Sequence, residues 1–134
     1  MWPISLMLNF RQFEVVDPFG CSWQVFFKYM QTAISLRHSD TVDVKFVLQH
    51  DGTEMHRLIA IQHLDLLELS RKTGHELTDS WCSRLGATHL KHIMENGEDI
   101  EKDLITVQPQ ELAQWASEIE REEKAEMERR RGAA

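Results

Sequence analysis

The chain has 134 residues, with 15 Lys+Arg against 22 Asp+Glu for a formal net charge of -7 at pH 7; 42% apolar and 28% charged residues place it among globular chains, away from disordered ones. Its length fits one domain, and an acidic balance with no basic cluster before the last few residues excludes a general nucleic-acid surface. No apolar run approaches the roughly 20 residues that a bilayer span needs, so a membrane-spanning role is excluded too.

The opening segment Met1 to Leu8 is apolar but lacks a basic n-region and a small-residue cleavage site, so it does not read as a signal peptide. Cys21 and Cys82 are too few for a disulfide framework, and a reducing, cytoplasmic setting is expected. The first hairpin is signalled by Asp17-Pro18-Phe19-Gly20, with Pro at the second turn position and Gly at the fourth. Phe13, Val15 and Val16 precede it. After it, period-two alternation sets Trp23, Val25, Phe27 and Tyr29 on one face and Gln24, Phe26, Lys28 and Met30 on the other, apolar enough on both to be a central strand. Thr32 to His38 reads as a continuation of that strand past a bend, or as a short strand of its own.

The next hairpin is better marked. Val42 to Leu48 alternates, and Asp51-Gly52 is the pair favoured in a two-residue type I′ turn. That turn imposes a register pairing Leu48 with Met55, Phe46 with Arg57, Val44 with Ile59 and Val42 with Ile61 on a nearly all-apolar face. The opposite face pairs Gln49 with Glu54, Val47 with His56, Lys45 with Leu58 and Asp43 with Ala60.

After Ile61 the period changes to that of a helix. Leu64, Leu66 and Leu67 follow helical spacing up to Lys72, Arg71 and Lys72 suit a last turn, and Gly74 is placed as a left-handed cap. A second helix starts at Thr78-Asp79, with Thr78 as cap and Leu77 able to staple onto Cys82. Its buried stripe is Trp81, Leu85, Ile93 and Met94, and Asn96-Gly97 ends it. The acidic stretch Glu95 to Asp103 then reads as a turn or short helix start, with a hard cation or a basic partner as the functional alternatives. A third helix begins near Pro109 with Leu112, Trp115, Ala116 and Ile119 as its apolar face. The stripe stops there. Glu120–Lys124 and Glu126–Arg130 are favourable i,i+4 pairs, but nothing beyond is apolar enough to bury, so fraying is expected from about Glu122.

The expected fold is therefore α+β: an antiparallel meander of four or five strands over residues 4–61, then three helices over 62–119 packed mainly on one sheet face, with 120–134 a charged tail. No catalytic or cofactor motif stands out, and no cofactor is expected. Trp23, Phe27 and Tyr29 are the candidate protein-interface residues, because large apolar groups on both faces of one strand need either cover or a partner. Cys82, His89 and His92 are a weak metal alternative, since their spacing brings them near one helix face without any recognised ligand motif. The reading is a small protein-interaction or adaptor module, acting on a protein partner or on itself. The alternative is a small-molecule or enzymatic pocket between sheet and helices, with His56, His89 and His92 as the groups to test.

Overall fold

Turn chemistry organises the front half of the chain. In the computed structural model, which describes residues 10–33, 40–99 and 101–133, strands β1 (Gln12–Val16) and β2 (Ser22–Ala33) flank the first turn. Gly20 donates its N–H to the Asp17 carbonyl at 3.0 Å and adopts φ +84°, a conformation open to glycine at no steric cost. Strands β3 (Thr41–His50) and β4 (Thr53–Gln62) flank Asp51 and Gly52, both at positive φ as a type I′ turn requires. The β3–β4 register is the one that the turn dictates, from Leu48 opposite Met55 to Val42 opposite Ile61.

One irregularity changes the faces of β2. The β2–β3 pairing runs Phe27 with Phe46 and then Tyr29 with Lys45, so Lys28 is the extra residue of a bulge. Strict alternation put Tyr29 with Phe27 and Met30 with Phe26. The bulge reverses this: Met30 lies opposite Val44 on the helix side, and Tyr29 lies opposite Lys45 on the outer side. The segment Thr32 to His38 is strand as far as Ala33, and the rest of it, like residues 4–9 of the expected sheet, lies outside the described residues.

Helix α1 (His63–Thr73) ends at Gly74, φ +73°, as its sequence foretells. Its inward face is Leu66 and Leu69, whereas Leu64 and Leu67 face outward; four leucines at overlapping i,i+3 spacings fit either face, and contact with β4 and α3 selects one. Helix α2 (Asp79–Asn96) is capped by the Thr78 hydroxyl, which accepts from Trp81 N–H at 3.1 Å, and stops at Gly97 with φ +69°. The sequence did not foretell β5 (Leu104–Thr106), a three-residue strand parallel to β4. It makes the sheet mixed, in the order β1-β2-β3-β4-β5, and otherwise antiparallel.

Helix α3 (Pro109–Ala133) follows. Val44, Phe46, Leu48, Ile59 and Ile61 of the sheet pack under Leu85 and Leu90 of α2, and Leu112, Trp115 and Ile119 of α3 complete the core. Gly86 lets α2 lie close on the sheet: a Cβ there would stand 3.1 Å from both Cβ and Cγ2 of Val44. The α2–α3 contact is partly polar, through Trp115 Nε1–H donating to His89 Nδ1 at 3.1 Å, His92 on Glu118 at 2.9 Å and Arg84 on Glu123 at 3.0 Å.

Candidate functional site

At the sheet end that carries both hairpin turns, the C-terminal end of α2 stands off the strands and leaves a cleft of about 270 Å³. Leu48 and Met55, register partners at the tip of the β3–β4 hairpin, form its floor. Leu90, Ile93 and Met94 of α2 form one wall. Pro18, Phe19 and Trp23 form the other, and the two walls meet where Gly97 approaches Pro18: a Cβ on Gly97 would lie 3.1 Å from Pro18 Cγ.

Asp17 fixes the wall that carries the aromatic residues. Its Oδ1 accepts the N–H groups of Phe19 and Cys21, both at 2.9 Å, and its Oδ2 accepts the Trp23 indole N–H at 3.2 Å. Desolvation raises the Asp17 carboxyl, but the hydrogen bonds from Cys21, Trp23 and Phe19 outweigh it and hold the group below its ordinary value. It is ionised at neutral pH. The same carboxylate therefore shapes the turn and sets the rotation of the indole at the cleft. Phe19, at the third turn position, is 80% exposed and extends the apolar lining onto the surface.

The polar part of the lining is charged. Arg57 lies on the helix-side face opposite Phe46 and is 7% exposed; it donates to the His56 carbonyl at 2.8 Å and to Asp103 Oδ1 at 3.3 Å. With Leu58 N–H bonded to the Asp103 carbonyl, it ties the loop after α2 to β4. Glu98 and Asp99 of that loop also line the cleft; Asp99 takes φ +50° and pairs with Lys102 at 3.1 Å. Counting lining side chains alone, three carboxylates face one guanidinium. The chemistry these groups offer is apolar contact bordered by negative charge.

Of the expected interface residues, the structure brings only Trp23 to this cleft. Phe27 packs edge-on against Phe10 at 5.1 Å and Phe46 at 6.0 Å, inside the helix-side layer. Tyr29, 39% exposed, is turned to the other sheet face by the bulge, so the three do not form one stripe. Cys82 is a core residue whose thiol burial pushes up to about 11. His89 Nδ1 is engaged by Trp115, and His92 stacks on Trp115 at 4.2 Å with its Nε2 on Glu118. Among the described residues no group of three or more His, Cys, Asp or Glu side chains is placed to hold a metal ion, and the expected Cys82, His89 and His92 set is not assembled. The pocket between sheet and helices exists, but His56, His89 and His92 do not line it.

No protein-family model, no curated protein and no solved structure matches this chain. The cleft therefore stands on its own geometry. Sequence reading missed Met55, Arg57 and Leu90 as part of its lining. Arg57 carried the signal: it is the one charged residue on an otherwise apolar hairpin face, and a buried cation needs a partner and a reason.

Proposed function

We propose that the protein is a binding module that receives an apolar group of a partner in the cleft beneath the C-terminal end of α2. The observation that carries this reading is the cleft itself, about 270 Å³ of space lined by Trp23, Leu48, Met55, Leu90, Ile93 and Met94 between the Asp17–Gly20 turn and the C-terminal end of α2. Concave apolar sites with a few fixed polar groups are where partners and ligands anchor. Preorganisation supports it further, because the Asp17 hydrogen bonds hold Trp23 and the turn before anything binds.

Titration of toluene, a stand-in for a phenylalanine side chain, into protein labelled with ¹³C at methionine methyls tests the reading. The Met55 and Met94 methyl resonances are expected to move together and saturate, while Met127, 55% exposed on α3, stays put. Absence of saturable shifts at Met55 and Met94 overturns the reading.

A further inference from the structure

We infer that the partner is a protein segment that offers an apolar side chain flanked by lysine or arginine. The inference rests on the binding role just proposed for the cleft and adds the chemistry of its occupant. Three features make the mouth negative. Asp17 is ionised and lines the aromatic wall. Glu98, exposed, and Asp99 line the opposite side. Glu98 and Asp99 belong to a run, residues 95–103, that holds five acids against the single base Lys102, with Glu95 paired to Lys91 and Asp103 to Arg57. The C-terminal end of α2 borders the cleft through Ile93, Met94 and Gly97 and adds the negative pole of the helix dipole there. Arg57, the one cation among the described lining residues, is clasped by Asp103.

A carboxylate or phosphate entering the cleft would meet these like charges, whereas a cation at the mouth meets complementary ones and the aromatic rings of Phe19 and Trp23. The shape favours a peptide over a small amine. Phe19 is 80% exposed at the rim, so a molecule that fills only the cleft leaves that ring in water, while a chain that crosses the rim covers it.

The test compares three fluorescein-labelled hexapeptides on the full-length protein by anisotropy: Leu-Phe flanked on both sides by Lys-Lys, by Gln-Gln, or by Glu-Glu. The Lys peptide is expected to bind about tenfold more tightly than the Gln peptide, with the Glu peptide weaker again, and the gap closes as salt is raised. Glu98→Lys, at an exposed position, is expected to shrink the Lys preference severalfold, and Phe19→Ala, also exposed, to weaken all three peptides. Equal binding of the Lys and Gln peptides, with Met55 and Met94 shifting in both, overturns the charge inference and leaves the apolar cleft standing. Phenethylamine binding as tightly as the Lys peptide also overturns it, in favour of a small amine. No peptide binding while toluene still shifts the two methionines removes the peptide partner, and silence from toluene as well removes the binding role itself.

Discussion

Gly86→Ala tests the claim that α2 is seated on the sheet by a missing side chain. In an exposed helix interior the change favours folding by about 1 kcal/mol, because alanine has less backbone entropy to lose. Here the new Cβ would stand 3.1 Å from Val44 Cβ and Cγ2, against the roughly 3.5–4.0 Å of ordinary carbon contact. A rotamer change relieves the Cγ2 contact but not the Cβ contact, since Cβ is fixed to the backbone of β3, which is hydrogen-bonded to β2 on one side and β4 on the other. The helix must lift instead, at an overpacking cost of about 1–3 kcal/mol, which leaves a net loss of about 1 kcal/mol. Urea unfolding is the assay, with the loss appearing as a lower midpoint at unchanged slope. In a Val44→Ala background both Cγ contacts are gone, and Gly86→Ala is expected to cost less by about 0.5 kcal/mol or more. A single-variant gain near 1 kcal/mol, as for a solvated glycine, would refute the close-seating argument.

Three further outcomes are expected. His89 is held below its ordinary value chiefly by burial, with His92 adding to the depression and Glu111, Asp99 and Glu98 opposing it; the unfolded chain therefore binds this proton more readily than the folded one. The stability that His89 contributes is complete above about pH 6.5 and is lost as pH falls below it, by at most about 1.4 kcal/mol per pH unit. His89→Asn keeps an acceptor for Trp115 without the titration, so wild type and variant should converge in melting temperature between pH 7 and pH 5; parallel curves would contradict this. Thr78→Ala removes the acceptor of Trp81 N–H and is expected to cost about 1 kcal/mol, read as a melting temperature a few degrees lower. In α3, amides from 124 onward are expected to exchange with deuterium far faster than those from Leu112 to Ile119, because the last core side chain among the described residues is Ile119 and beyond it α3 is tied to α2 through Glu123 on Arg84.

Where a residue type forces one backbone geometry, the sequence was a sufficient guide. Asp51-Gly52 set the register of β3 and β4 through the two positive φ angles that it accommodates, and Gly74, Thr78 and Gly97 bounded α1 and α2. What escaped was decided between elements. The bulge at Lys28 has no local signature, because Phe27, Tyr29 and Met30 fit either face of a strand with apolar residues on both. The strand Leu104–Thr106 is three residues long, follows directly on a charged stretch and exists because the edge of β4 offers it a ladder. The inward face of α1 is likewise chosen by its neighbours.

The cleft joins these two kinds of information. Its lip is written locally, since Asp17-Pro18-Phe19-Gly20 is a turn in any context, and the carboxylate that closes the turn also holds the indole. Its depth is not local. It depends on Gly97 stopping α2 against Pro18, on Gly86 seating the same helix upon Val44, and on Arg57 drawing the acidic loop down onto β4. Segments 17–23, 48–57 and 90–99 thus meet only once the meander has folded and α2 has been laid across it. A buried arginine on an apolar strand face and an acidic run past a helix end are each unremarkable alone. Their pairing through Asp103 gives that run a fixed position at the mouth of the cleft, where its charge acts on whatever enters.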